Sequence, residues 1–329
     1  MLGHAPHRHR RLLVQPSSPF RLDLTVSALR RRSHNEVDRW DASGAYGRVL
    51  PINGRPLLLT VTQDDGPIAP RLSVVVTGRA VHPRDGAVAR RAVHRLLGLG
   101  IDLSAFAVMA DADPIIGPLA ERMRGFRPPR FPTVFEALVN GVACQQLSLT
   151  VGIHLLNRLT ASHGRPAPGD PRAARAFPSP AALAALEPEA LRRHGFSATK
   201  ARTIIETARA IASDDLDLEA LHQLDDVAAV ERLTRLRGIG RWTAEYVLLR
   251  GLGRLHVFPG DDVGAQNTLK RLLGIDTPLG YDDVRTLVTR WQPFAGVVYF
   301  HLLLDSLIRP ADGPRLVGVG TDSARADAG

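Results

Sequence analysis

The sequence predicts an α+β protein: a small N-terminal antiparallel sheet with a packed helix, followed by an all-α domain. Three observations carry this reading. Apolar and polar residues alternate through Leu22, Leu24 and Val26, again through Leu57, Leu59 and Val61, and again through Leu72, Val74 and Val76, which is the two-residue period of half-buried strands. After Asp85-Gly86 the period lengthens, with Val88, Ala92, Val93, Leu96 and Leu97 on one helical face and arginines on the other. From Asp113-Pro114 onward helical spacing runs almost throughout, interrupted by Pro- and Gly-rich loops at 125–132 and 163–180.

Taken in order, residues 1–18 lack any period and predict a mobile, basic, disordered arm. Its His4, His7 and His9 admit two readings, a metal ligand set or a solvated tail. Residues 19–112 form the predicted accessory α+β domain, whose strands are punctuated by turns at Asn53-Gly54 and Asp65-Gly66-Pro67. Residues 113–310 form the helical domain. Residues 311–329 are small, polar and aperiodic, and predict a disordered tail.

At 329 residues and 44% hydrophobic, the chain is long enough for one or two cores. The net charge of +9 is carried almost wholly by arginine, since Lys200 and Lys270 are the only lysines. Such a balance implies an anionic partner, and the planar guanidinium suits nucleic-acid phosphates; a composition biased toward arginine is the competing explanation. Cys144 is the only cysteine, which excludes an internal disulfide, a Cys₄ iron–sulfur cluster and a thiolate zinc finger. The N-terminus lacks an apolar signal core and no stretch approaches 18 apolar residues, so a cytoplasmic, nucleoid-associated protein with no membrane partner is expected.

The stretch Val227–Leu252 is the most informative. Val230, Leu233 and Leu236 give one apolar helix face, Arg237-Gly238-Ile239-Gly240 interrupts it, and Ala244, Val247 and Leu248 resume it. Two glycines around one apolar residue allow a sharp backbone turn with Ile239 pinned inward. The amides opening the second helix then face outward, where a phosphate is a natural ligand. Next come His256-Val257-Phe258-Pro259-Gly260-Asp261-Asp262 and a helical run from Val263 to Leu273. An aspartate there is first of all a helix cap. There are two, however, and one cap suffices. Trp242 and Tyr246, at i and i+4, share a helix face near this loop, as core packing or as the wall of a pocket.

Leu236–Gly253 followed by Val257–Asp262 resembles the hairpin and aspartate loop of the helix-hairpin-helix DNA glycosylases, most closely their DNA-3-methyladenine glycosylase II branch. The resemblance extends to Phe131-Pro132-Thr133, to Cys144-Gln145-Gln146-Leu147-Ser148, to Gly195-Phe196-Ser197 with Lys200-Ala201, and to Trp291-Gln292-Pro293-Phe294; more loosely, it covers Phe20 to Pro310. It implies that Asp262 is the catalytic aspartate, with its acidic neighbour Asp261, Trp242, Tyr246 and Gln146 in the substrate pocket. Arg237, Gly238, Ile239, Gly240, Arg241 and Thr243 would meet DNA, and Leu147 would fill the gap left by a flipped base; ordinary core is the other reading of Leu147. Backbone carbonyls at Thr234, Leu236 and Ile239 would hold a structural sodium or potassium ion. No cofactor is required.

By the same resemblance the expected activity is hydrolysis of the N-glycosidic bond of alkylated purines in double-stranded DNA by a monomer. Alkylation at N3 or N7 leaves the base cationic, so one carboxylate suffices where two are usual, and aromatic faces attract the cation. Lyase relatives carry a lysine where this chain has Trp242, which implies a monofunctional enzyme. A pocket tryptophan of that branch is replaced by Leu303, with Tyr299 or Phe300 as candidates to compensate. His301 reads as a helix-face histidine rather than a base. A glycosylase for a deaminated base such as hypoxanthine, and a non-catalytic DNA-binding protein, are the competing functions.

Overall fold

The computed structural model describes residues 8–167 and 174–308. His4, His7 and the expected C-terminal tail lie outside them.

Five strands form one antiparallel sheet: β1 (Arg8–Val14), β2 (Arg39–Trp40), β3 (Tyr46–Ile52), β4 (Arg55–Gln63) and β5 (Leu72–Gly78), in the order β1-β5-β4-β3-β2. The β3–β4 hairpin turns at Asn53 and Gly54, whose φ of 47° and 73° are the paired left-handed values of a tight two-residue turn. Leu57, Leu59 and Val61 on β4 and Leu72, Val74 and Val76 on β5 point into the core, as their alternation predicts.

Two elements of this region differ from expectation. Arg8–Val14, placed in a mobile arm, is the edge strand β1, paired along its length with β5. Only Val14 of β1 is buried, so backbone pairing rather than side-chain burial holds it, and exposed arginines on an edge strand guard it against further pairing. Leu22, Leu24 and Val26, expected on a strand, lie on helix α1 (Leu22–Arg30), which buries Leu22, Leu24, Thr25, Val26, Ala28 and Leu29. Asp23, Ser27 and Arg30, its less buried positions, fall at the helical spacing i, i+4 and i+7, but the local alternation Leu22-Asp23-Leu24-Thr25-Val26-Ser27 imitates the two-residue period of a strand.

Helix α2 (Asp85–Leu96) covers the sheet through Ala89, Val93 and Leu96. The remainder is helical: α3 (Ser104–Ala112), α4 (Gly117–Arg122), α5 (Val134–Cys144), α6 (Leu149–His163), α7 (Pro180–Ala184), α8 (Pro188–Arg192), α9 (Ala198–Ala212), α10 (Asp226–Thr234), α11 (Arg241–Val247), α12 (Val263–Leu273), α13 (Tyr281–Val288) and α14 (Ala295–Ile308), with a π-turn at Leu248–Leu252 prolonging α11. One core joins the sheet to α5, α6, α9 and α11; a second joins α3, α4 and α12 to α14. Helix α1 sits between them, giving Leu22, Val26 and Leu29 to the first and Leu24 and Ala28 to the second.

The sheet is also tied to α5 by charge. Arg48, fully buried on β3, bonds Asp38 at 2.5 Å and Glu136 of α5. Removing one member would strand the others without a counter-charge, at a cost of about 3–5 kcal/mol.

Candidate active site

Helices α10 and α11 meet in the predicted hairpin. Gly238 has a φ of +76°, and a Cβ there would lie 2.2 Å from the Thr203 hydroxyl of α9, so both conformation and space demand glycine. Ile239 turns inward at 5% exposure, as predicted. Gly240 is the N-cap of α11 without a side-chain cap, and a Cβ added to it would meet nothing within 4 Å, which leaves the first amides of α11 facing an open surface. Arg237 is exposed as expected, within 3.9 Å of Glu206. Thr243 is a correction: at 1% exposure it packs against Gly141 of α5 and its hydroxyl accepts from the Gln145 side chain, so its side chain presents nothing to a ligand.

Asp262 lies at the N-terminus of α12 and uses its two oxygens differently. Oδ1 accepts from the Ala265 amide at 2.9 Å, an ordinary cap. Oδ2 accepts from the Trp242 indole N–H at 3.2 Å and from the Tyr299 hydroxyl at 2.9 Å. The cap reading and the site reading therefore describe two halves of one carboxylate. The rings of Trp242 and Tyr246 lie 5.4 Å apart, inclined by 31°. Trp242 is half-buried, whereas Tyr246 is only 3% exposed. Burial and the neighbouring Asp262 carboxylate hold the Tyr299 hydroxyl well above the ordinary phenol value.

The loop before Asp262 is held from below. Glu245, on α11 three residues after Trp242, accepts from the Gly260 amide at 3.1 Å and from the Tyr281 hydroxyl at 2.5 Å. Gln266 donates to the Gly260 carbonyl at 2.8 Å. Burial pushes the Glu245 carboxyl up, and burial together with its bond to Glu245 pushes the Tyr281 hydroxyl to about 12. Asp261 does not share Asp262's partners. It pairs with Arg241 at 2.9 Å, and that guanidinium lies 3.4 Å over the Tyr281 ring. Both residues remain partly exposed, but each engages the other rather than standing free for base or phosphate.

A second loop approaches the hairpin between α5 and α6. Gln146 is exposed with a φ of +51°, and among the described residues no hydrogen bond links it to Asp262, Trp242 or Tyr246. Leu147 next to it is 44% exposed, so it is not core. The Lys200 ammonium fixes this turn from beneath, donating to the carbonyls of Ala143 and Gln145 at 3.1 and 2.6 Å. Gln145 bridges the turn to the hairpin by donating to the Gly238 carbonyl at 3.0 Å and the Thr243 hydroxyl at 2.8 Å.

On α14, Tyr299 joins the site, while Phe300 is wholly buried. Leu303, one turn beyond Tyr299, is half-buried against the second core. His301 is a core histidine, 2% exposed between Phe106 and Phe126, and burial lowers it to about 4. Sequence reasoning missed Glu245, Tyr281, Gln145, Lys200 and two buried arginines, Arg31 and Arg250. Glu245 shares the Trp242 helix face at i+3, a spacing that could have pointed to it; Arg31 is more than 200 residues from Tyr246, whose hydroxyl it bonds at 3.0 Å. Of the three carbonyls expected to hold a cation, that of Leu236 accepts the Ile239 amide at 3.1 Å. The Thr234 hydroxyl turns back to the Val230 and Glu231 carbonyls.

A hairpin with an uncapped second helix, an aspartate held between an indole and a phenol, and an exposed leucine on the facing turn define a helical DNA-repair scaffold behind a small sheet. Residues 139–293 match the HhH-GPD superfamily of base excision DNA repair proteins. A DNA-3-methyladenine glycosylase of Bacillus subtilis is 32% identical over 210 residues, spanning 64% of this chain and 69% of that protein. DNA-3-methyladenine glycosylase 2 of Escherichia coli is 27% identical over 228 residues, 65% of this chain and 77% of its own length. The solved 3-methyladenine DNA-glycosylase of Archaeoglobus fulgidus superposes with a TM-score of 0.79 at 26% identity, over 89% of this chain and 97% of that one. The chain belongs to the DNA-3-methyladenine glycosylase family, within the HhH-GPD superfamily of base excision repair glycosylases.

Proposed function

We propose that the protein is a monofunctional glycosylase of the II type that removes alkylated purines, of the 3-methyladenine and 7-methylguanine kind, from double-stranded DNA. The observation that carries this reading is the divided Asp262 carboxylate, one oxygen fixed in the cap and the other presented to Trp242 and Tyr299.

The uncapped amides at Gly240–Trp242 supply the phosphate ligand, and Leu147 supplies the apolar side chain that fills the stack when a nucleotide is extruded, so a monomer suffices to engage one lesion. The extruded purine sits against Trp242. As the C1′–N bond breaks, its electron pair leaves with the base and positive charge grows on the sugar, which the Asp262 carboxylate stabilises. Water adds to C1′ and releases its proton, completing hydrolysis. A purine already cationic from alkylation accepts that electron pair without prior protonation.

The absence of lyase chemistry is supported by the engagement of both lysines. Lys200 is committed to two carbonyls of the Leu147 turn and Lys270 reaches the Asp276 carbonyl at 3.2 Å. Neither lies in the hairpin or in the loop before Asp262, where a Schiff-base lysine would be needed. Neutral carbonyl oxygens at Thr234, Leu236 and Ile239, with no carboxylate among them, suit a monovalent rather than a divalent cation, which would brace the hairpin without entering the chemistry.

Release of free base from methylated duplex and from inosine-containing duplex, by the protein and by Asp262→Asn, tests the reading. Release of methylated purines by the parent alone is the expected result. Equal activity in both proteins would overturn the role of Asp262; no release from either duplex would leave a non-catalytic DNA-binding protein.

A further inference from the structure

The loop that carries Asp262 is fastened to α11 at two points one helical turn apart. One is the Trp242 indole, which donates to Oδ2 of Asp262. The other is Glu245, three residues on, whose Oε2 accepts from the Gly260 amide at 3.1 Å. Side chains hold the peptide units on both sides of Gly260, since Gln266 of α12 donates to its carbonyl at 2.8 Å. A Cβ at Gly260 would lie 2.7 Å from the Tyr281 ring, so that ring rests directly on the buried loop backbone. The Tyr281 hydroxyl returns to Oε1 of Glu245 at 2.5 Å. Arg241 lies over the same ring and pairs with Asp261, which closes the frame. The Asp262 amide completes a turn on the Pro259 carbonyl at 3.1 Å, so a shift of Gly260 is passed on to Asp262.

Glu245 is 8% exposed and both of its oxygens are taken by protein donors, which suits a brace rather than a base for water. Burying a carboxylate is costly, and burial raises this one above the usual range. An apolar side chain would fill the space between α11 and α13 without that cost, but it would leave the Gly260 amide unbonded. What the carboxylate supplies is direction. It fixes the Gly260 amide and with it the bearing of the two residues that follow. A group that must meet charge growing at C1′ has to be held within about 0.5 Å of its working position, and the Asp262 oxygen is such a group.

We propose that Glu245 is a positioning residue for the excision step: through Gly260, and with Tyr281 behind it, it sets the place of the Asp262 carboxylate relative to the bond that breaks. It is buried under the loop and acts through Asp262, so its effect falls on the rate of bond breaking and not on DNA binding. This rests on the glycosylase reading above and adds to it a determinant supplied by α11 and α13.

The test measures single-turnover release of 7-methylguanine at saturating enzyme, and the Kd for a duplex holding a tetrahydrofuran abasic analogue, in the parent, Glu245→Ala, Glu245→Gln and Tyr281→Phe. Glu245→Ala is expected to lose about 10²-fold in release rate, the scale of a misplacement of about 1 Å, with Kd within about threefold of the parent. Glu245→Gln keeps an oxygen for the Gly260 amide and an N–H for the Tyr281 oxygen, and is expected to restore the rate to within about fivefold of the parent. In the Asp262→Asn background Glu245→Ala is expected to cost no more than about threefold further, because both substitutions act on one carboxylate. If Glu245→Ala fails to fold, Tyr281→Phe keeps the ring against Gly260, removes only the hydroxyl, and lowers the rate about fivefold at unchanged Kd. A Kd that weakens in step with the rate, a glutamine variant as slow as the alanine one, or a full second loss on top of Asp262→Asn would overturn the proposal. A parent that releases no base fails the glycosylase reading itself, and the role of Glu245 with it; a parent that releases it, with variants at the parental rate, fails only the role of Glu245.

Discussion

The Tyr299 hydroxyl donates at 2.9 Å to the oxygen of Asp262 that the helix cap leaves free. With the Trp242 indole on the same oxygen, the carboxylate is locked by two donors and cannot rotate between cap and pocket. Tyr299→Phe keeps the ring, its edge-to-face packing on Phe258 at 5.4 Å and the cap, but frees that oxygen. The expected outcome is a kcat for base release lower by roughly tenfold, from lost preorganisation, with thermal stability within about 1 kcal/mol of the parent. Single-turnover kinetics beside thermal denaturation check both halves.

Substitution at Asp262 separates its two duties. Asparagine can still cap α12, but it sets an N–H₂ where Trp242 and Tyr299 both donate. Asp262→Asn is expected to lose about 10²–10³ in kcat while costing little stability. Asp262→Ala is expected to lose the same activity and about 1 kcal/mol of stability besides, read from urea denaturation midpoints. If the two variants are equally stable, the cap contributes nothing.

Much of this site could be read from the chain because it is local. The Gly238-Ile239-Gly240 turn, Trp242 and the Pro-Gly-Asp-Asp loop lie within about 25 residues, and helix periodicity plus turn chemistry places them correctly. What was hidden is what tertiary packing decides. Tyr281 meets Glu245 across 36 residues and Arg31 meets Tyr246 across 215, contacts that no periodicity encodes. Helix α1 hid its own identity because Leu22–Ser27 alternates apolar and polar residues as a strand does. Strand β1 hid because backbone pairing to β5 sustains it while most of its side chains face solvent. Thr243 was misplaced for a related reason: its hydroxyl is taken up by the Gln145 side chain from a turn 98 residues away.

The Leu147 turn yields a prediction of its own. A leucine 44% exposed beside the hairpin contributes only if it fills the space a base vacates in duplex DNA. Leu147→Ala is therefore expected to slow excision from fully paired duplex by roughly tenfold and to leave excision opposite a mismatch or a gap nearly unchanged, since an unpaired base needs less help to leave the stack. A uniform loss on all three substrates would mean the residue supports folding of the turn instead.

His301 gives a prediction about pH rather than about catalysis. It lies 2% exposed in the second core, with Nδ1 at 2.8 Å from the Val297 carbonyl, and burial lowers it to about 4 from 6.5. Between those two values the unfolded chain binds a proton that the folded chain refuses. The stabilising contribution of neutral His301 is therefore complete above pH 6.5 and is lost as pH falls toward 4, amounting at most to roughly 3 kcal/mol. His301→Leu removes the titrating group while keeping an apolar side chain beside Phe106 and Phe126. Its unfolding free energy is expected to fall less steeply than the parent's between pH 6.5 and 4, and to run parallel to it above pH 7. Coincident slopes on the acid side would show that His301 takes up its proton in the folded state after all.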